Sequence, residues 1–299
     1  MTNISRRKFI GSTAAMAALS MAGRAAFANP LGLPLGVQLY SVRQQMTEDF
    51  EATLAAVSAA GYTEVEAAAL PKKSATEVRA MLDKAGLRCV SAHHPFADLH
   101  ARFEEIVAYD KELGAKFIIC ASPGYRVPSP AGTPGGPKPF TLDDWHYNAE
   151  QFNIMGEKTA AAGIQFGYHN HVREFAVTDG KTPYIELLQL TDPKKVTFEL
   201  DCGWAVVAGM RPVEILRDHP DRISMLHVKD FKLPATPLAD PHDAKVTELG
   251  QGTIDYRPIF AQAAKTQHIQ HAFVEQEAFD MPWKESLNVD ADYLRGLKS

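Results

Sequence analysis

Short apolar runs alternate along this chain with longer stretches of helical periodicity, and the alternation repeats eight times. The strand-like runs cover 36–40, 63–67, 87–92, 116–121, 164–169, 196–201, 222–228 and 270–275. Helical stretches follow at 48–60, 76–84, 99–113, 142–162, 183–190, 212–218 and 256–265, with a last short one near Leu294. Apolar strands separated by helices predict a parallel sheet, and eight such units in order predict a single (β/α)8 TIM barrel of the α/β class. Four helix-to-strand junctions carry a glycine just after the last turn, at Gly61, Gly86, Gly114 and Gly163. Glycine accepts the left-handed conformation that ends a helix, which suits the tight turns at a barrel's bottom. Two junctions break the rhythm, 122–140 and 229–252. Both follow strands, so both fall on the face where barrels carry their chemistry.

Within a strand, side chains alternate between the barrel interior and the helix layer. In the fifth run Gln165, Gly167, His169 and His171 oppose Ile164, Phe166 and Tyr168. In the sixth, Glu199 and Asp201 oppose Phe198 and Leu200. The seventh sets Met225, His227 and Lys229 against Leu226 and Val228, and the eighth sets His271, Phe273, Glu275 and Glu277 against Val274 and Gln276. The polar set of each strand can therefore point inward together. Buried carboxylates and imidazoles are costly unless paired or bound to a cation, so such a cluster asks for a metal. Asp201, His227 and Glu275 each end a strand and suit one divalent ion. Mixed nitrogen and oxygen ligands favour manganese, cobalt, iron or zinc over calcium, and magnesium is left as a further candidate for the one divalent ion. Taken singly, His227 also reads as a satisfied core histidine and Asp201 as a loop cap.

Gln38, Tyr40, Glu66, His93 and Trp204 are further inward candidates. Aromatic rings beside hydroxyl-binding groups make a carbohydrate site, and barrel packing is the plain alternative for each. The Gly250-x-Gly252 element lacks the third glycine and the immediate helix of a nucleotide site, and is expected to shape the last long loop. No Ser-His-Asp elbow or phosphate-binding loop motif is present.

The start of the chain changes the setting. Ser5-Arg6-Arg7-Lys8-Phe9-Ile10 precedes a mild Ala/Met/Leu stretch that closes on Ala26-Phe27-Ala28. This pattern predicts a twin-arginine export signal over 1–28, one barrel domain over 29–299, and a periplasmic or secreted protein. The stretch is too short and too rich in Ala, Gly and Ser for a membrane anchor. Losing Arg6, Arg7, Lys8 and Arg24 takes the formal charge from -5 to -9. Such an acidic body is a poor partner for nucleic acid or an anionic membrane. Cys89, Cys120 and Cys202 read as small buried side chains, with a Cys89 to Cys120 disulfide left open.

The segments Tyr168-His169-Asn170-His171-x-x-Glu174-Phe175, Glu199-Leu200-Asp201-x-Gly203-Trp204, His227-Val228-Lys229-Asp230, Gly250-x-Gly252-x-Ile254-Asp255-Tyr256 and Val274-Glu275-Gln276 together resemble the sugar phosphate isomerase/epimerase family. That family has a xylose isomerase-like barrel. It includes ketose 3-epimerases, hydroxypyruvate isomerase, inosose dehydratase and zinc apurinic endonucleases. The resemblance implies one divalent metal held after strands five to eight, with Asp201, His227 and Glu275 matching the last three positions. Epimerases of the family carry Glu at the first position; this chain has His169, with His171 and Glu174 as alternatives. That departure removes one of the two carboxylates that trade a proton in epimerisation.

The expected chemistry is proton abstraction beside a carbonyl with an enediolate intermediate. Glu275 is the expected base, and Glu174, His171 or Lys229 would return a proton or protonate a leaving group. Pairing with Asp230 or Glu199 is the alternative for Lys229. The leading expectation is an isomerase or epimerase acting on a sugar, keto-sugar or cyclitol. A lyase on a keto-sugar or keto-glycoside and a non-catalytic carbohydrate-binding barrel are the rivals. The partner is a small carbohydrate, with no nucleic acid and no membrane after signal removal; a homo-oligomer is left open.

Overall fold

The computed structural model describes residues 29–128, 138–236 and 238–297. The export signal expected over 1–28 lies outside these residues. Eight parallel strands close into a barrel: β1 (Gly36–Gln38), β2 (Glu64–Ala67), β3 (Arg88–Pro95), β4 (Phe117–Ser122), β5 (Gln165–His169), β6 (Val196–Asp201), β7 (Ile223–Val228) and the last strand of the chain, His271–Val274. Between β7 and that strand a small antiparallel hairpin forms from β8 (Asp230–Lys232) and β9 (Lys245–Thr247), so the final barrel strand is β10. The hairpin occupies the span expected to be an irregular loop.

Helices pack outside the barrel because one face of each is apolar and must be buried. Their starts are built by side chains: Ser74 and Thr141 cap the helices Ala75–Ala85 and Leu142–Ala161 and are answered by Glu77 and Asp144, two reciprocal capping boxes. Their stops are glycines where expected; Gly86 (φ +74°) and Gly114 (φ +104°) take the left-handed conformation that a side chain would oppose.

The barrel interior has two storeys. Val90, Phe117, Ile119, Met225 and Phe273 form a closed apolar cluster separate from the larger core between sheet and helices. Gly36 and Gly167 keep room for it, since a Cβ at Gly167 would meet Ile119 Cδ1 at 2.6 Å and one at Gly36 would meet Phe273 Cδ1 at 2.7 Å. Above this floor, at the carboxyl ends of the strands where barrels carry their chemistry, the inward residues turn polar. Among the described residues no helix is long and apolar enough to cross a membrane. Cys89, Cys120 and Cys202 are buried free thiols, so no disulfide joins Cys89 to Cys120.

Candidate active site

Strand register assembles the polar storey. Asp201 stands opposite His227, His169 opposite Glu199, and Gln38 opposite Glu66. His169, Asp201, His227 and Glu275 are all buried, and each offers a ligand atom within 4.8 Å of the others. His227 Nδ1 lies 3.0 Å from Glu275 Oε2, and His169 Nε2 lies 3.8 Å from Asp201 Oδ2. Asp201 Oδ2 is buried without a hydrogen bond. Its nearest cation is Lys229 Nζ at 3.0 Å, an ion-pair contact without hydrogen-bond geometry. Two imidazole nitrogens, two carboxylates and one unanswered buried oxygen make a donor set that fits a divalent ion.

A second ring of residues holds the first in place. Glu199 Oε2 lies 2.6 Å from His93 Nε2, 3.0 Å from His169 Nδ1 and 3.2 Å from His227 Nε2. Glu66 Oε2 lies 2.7 Å from His227 Nε2 and accepts from Gln38 Nε2 at 2.7 Å, while Ser91 donates to Glu66 Oε1 at 2.6 Å. His169 and His227 thus each give one ring nitrogen to Glu199 and turn the other toward Asp201 or Glu275. A carboxylate behind a metal-binding histidine fixes its tautomer and ring orientation. His93, His169, Glu199 and His227 also meet ligand spacing as a set, and Glu199 Oε1 lacks a partner. The shared Glu199 Oε2 already contacts three imidazoles, so the positioning role accounts for it better.

Electrostatics follow the same division. Burial opposes charge on His227, but Glu199 and Glu66 outweigh it and hold the imidazole well above its usual range. His93 is pushed up to about 9 by the same two carboxylates against burial. Burial and the charge on His227 push His169 down. Burial, then His169 and Lys229, hold His171 well below the usual range and keep it neutral.

Lys229 is fully buried behind this centre. Its ammonium contacts Glu275 Oε2 at 2.5 Å, Glu277 Oε1 at 2.6 Å and Asp201 Oδ2 at 3.0 Å. Its partners are therefore these three carboxylates rather than Asp230 or Glu199. Asp230 instead accepts backbone N–H groups of Phe231, Gly250, Gly252 and Ile254, which pins the Gly250-x-Gly252 loop. Trp204 donates its indole N–H to Glu277 Oε1 at 3.0 Å and lies under the Lys229 ammonium.

A cavity of about 350 Å³ opens above the centre, lined by Tyr40, His93, His169, His171, Glu275 and Glu277 among others. Tyr40 was expected on a strand; β1 ends at Gln38, and Tyr40 sits in the 3-10 turn Leu39–Val42 at the rim, 40% exposed. Glu174 departs from expectation more sharply. The 3-10 turn Arg173–Phe175 carries it away from the cavity, where it accepts from Tyr168 Oη at 2.6 Å and from the His171 N–H at 2.9 Å. Tyr168 stacks on Phe152 of the helix layer, so Glu174 is buried outside the barrel lumen and is no candidate for touching substrate. Glu199 and Glu277 were visible as inward residues, but their roles depend on partners from distant strands.

A family profile, the xylose isomerase-like TIM barrel, matches residues 54–297. The chain belongs to that family. Among curated relatives, inosose dehydratase of Lacticaseibacillus casei is 27% identical over 246 residues, covering 76% of this chain and 82% of that enzyme. Among solved structures, a sugar phosphate isomerase/epimerase from Parabacteroides distasonis superposes with a TM-score of 0.69 at 28% identity, covering 87% of this chain and 93% of that one. A xylose isomerase-like barrel from Mycobacterium smegmatis, solved in complex with magnesium, reaches a TM-score of 0.62 at 15% identity, with coverage of 87% and 94%.

Proposed function

We propose that this member of the family is a metal-dependent lyase that eliminates water or an alkoxide from a keto-sugar, cyclitol or keto-glycoside. The observation that carries the proposal is the unlike character of the groups around the cavity. β10 and the segment after it supply the carboxylates Glu275 and Glu277, whereas the end of β5 supplies His169 and His171 and no carboxylate. Epimerisation by two matched bases needs a second carboxylate there. Elimination needs one base and a different partner for the departing oxygen. The likeness to inosose dehydratases supports the same choice.

His169, Asp201, His227 and Glu275 would hold the ion, which would polarise the substrate's carbonyl and neighbouring hydroxyl as a Lewis acid. Glu275 takes the proton from the carbon beside the carbonyl, and Lys229 keeps that carboxylate ionised and fixed. His171, neutral and at the cavity wall, offers a ring N–H to the departing oxygen. The abstracted proton and the departing hydroxide or alkoxide leave as water or alcohol, so no further reagent is required. Gln38 and Glu66 position the centre from beneath and Tyr40 shapes its rim, while the buried Trp204 holds Glu277 and Lys229 rather than lining the cavity.

Isomerisation or epimerisation of the same substrates is the second choice, favoured by the likeness to the Parabacteroides structure. The metal-loaded protein incubated with an inosose and with a 3-keto-glycoside separates them by product mass. Loss of water or alcohol supports elimination, and an isomer of unchanged mass in deuterated water, with label incorporated, overturns it. Turnover in neither case, with sugar binding retained in Glu275→Gln, identifies a carbohydrate-binding barrel instead. We also propose that residues 1–28 direct export of the folded, metal-loaded protein; fusion of this segment to a reporter exported only by the twin-arginine route tests it.

A further inference from the structure

A second cavity, of about 520 Å³, abuts the one above the candidate metal centre. The two share the wall residues Ala68, Ala69, His93, His94 and Pro95. The larger space lies between the loop after β2 and the helix Phe96–Leu113, on the helix side of β3. His93 and His94 mark the division. His93 turns inward to Glu66 and Glu199, and His94 turns outward, with Nε2 2.7 Å from the buried Asp110 Oδ2.

We propose that this second cavity is a subsite for a second sugar ring, so that the substrate is a glycoside or disaccharide rather than a single ring. The proposal deepens the lyase reading above and rests on it for the ring that enters the metal centre. Three observations carry it. The first is size and continuity: two adjoining spaces of about 350 and 520 Å³ exceed the needs of one monosaccharide, whose ring would occupy only the smaller.

The second is the chemistry of the lining. Lys72, Lys73 and Arg102 are matched by Asp98, Glu105 and Asp110, so the cavity has no net sign to select a phosphate or carboxylate. It offers instead many donors and acceptors around the ring of Tyr109, with Leu70, Pro71 and Pro95 as apolar surface. A flat ring beside mixed polar groups is how proteins hold neutral sugars. Tyr109 is anchored for this, its hydroxyl donating to the Lys73 carbonyl at 3.3 Å.

The third is the shape of the shared wall. Ala68 and Ala69 keep the passage between the spaces free of long side chains, and Ala69 sits at φ +51°, a left-handed conformation that side chains other than glycine rarely adopt. Such strain persists where the surroundings over-determine it.

Titration calorimetry of glucose, maltose and cellobiose into the metal-loaded full-length protein tests the proposal. At least one disaccharide should bind about tenfold more tightly than glucose, a difference of about 1.4 kcal/mol. Leu70→Trp, which fills the second cavity, and Tyr109→Ala, which removes its ring, should each abolish that gain and leave glucose binding unchanged, with folding verified by circular dichroism. Equal affinities for all three sugars in the wild type, or a disaccharide preference that survives both substitutions, overturn it. Elimination from an inosose with no disaccharide preference would refute the subsite alone. A preference lost in both variants without turnover of any keto-substrate would refute the reaction alone.

Discussion

Glu199 Oε2 lies 3.2 Å from His227 Nε2 at the floor of the candidate metal centre, and the same oxygen lies 3.0 Å from His169 Nδ1. One carboxylate therefore orients two of the four residues that would grip the ion. Glu199→Gln keeps the volume but presents either an amide N–H or a weaker acceptor to rings that now share one anion. Metal affinity should fall about 10- to 100-fold, measured by competition with a chromogenic chelator. Unchanged affinity would show that Glu66 and packing orient the histidines without Glu199.

Asp201 has two tasks that substitution can separate. Its Oδ1 caps the helix Cys202–Val207 by accepting from the Trp204 N–H at 2.7 Å, while Oδ2 is the oxygen without a hydrogen bond. Asp201→Asn should keep the cap and lose the ion. Asp201→Ala should lose both, with an added cost to stability of about 1 kcal/mol from the missing cap. Thermal denaturation of the two metal-free variants, together with their metal content, measures the difference; equal melting temperatures would remove the capping argument.

Much of this was legible in the chain. The eight strands of the barrel were readable because parallel strands buried on both faces become short apolar runs bounded by turn residues. Asp201, His227 and Glu275 were readable as a group because each ends such a run, where barrels present chemistry. Glu174 was misplaced because the period of two that sorts strand residues stops at His169, and the 3-10 turn beyond it rotates the chain toward the helix layer. The tasks of Glu199, Glu277 and Lys229 could not be seen because they arise from partners 28 to 106 residues away along the chain, set by barrel closure rather than by local pattern. The hairpin of β8 and β9 escaped for a simpler reason: each of its strands has three residues, too few to show alternation.

Lys229 is the single buried cation among Asp201, Glu275 and Glu277 in these contacts. Lys229→Met removes the charge and keeps the stem, leaving three carboxylates to repel one another. Breaking a buried ion network from one side costs about 3–5 kcal/mol. The metal-free variant should therefore melt well below the wild type, and added manganese or zinc should recover more stability in the variant than in the wild type, because the ion then replaces the positive charge that Asp201 and Glu275 have lost. Differential scanning calorimetry with and without metal tests this, and an equal gain in both proteins would count against it.

Asp290 gives the fold a pH dependence distant from the metal centre. It is fully buried on the last helix, Trp283–Gly296, where Oδ1 accepts from the Leu249 N–H at 2.7 Å and Oδ2 has no hydrogen bond. Burial pushes its carboxyl up to about 7, with Glu248 and Asp230 adding to the rise against the Leu249 N–H. An acid whose folded pKa lies above its unfolded value binds the extra proton in the native state, so it contributes stability below the unfolded pKa and loses it as pH rises toward 7. Asp290→Asn keeps the acceptor for Leu249 and cannot ionise. Its melting temperature should fall less than the wild type's between pH 5 and 8, and at pH 8 the variant should be the more stable by up to a few kcal/mol. Parallel melting curves across that range would mean that Asp290 titrates as an ordinary carboxylate.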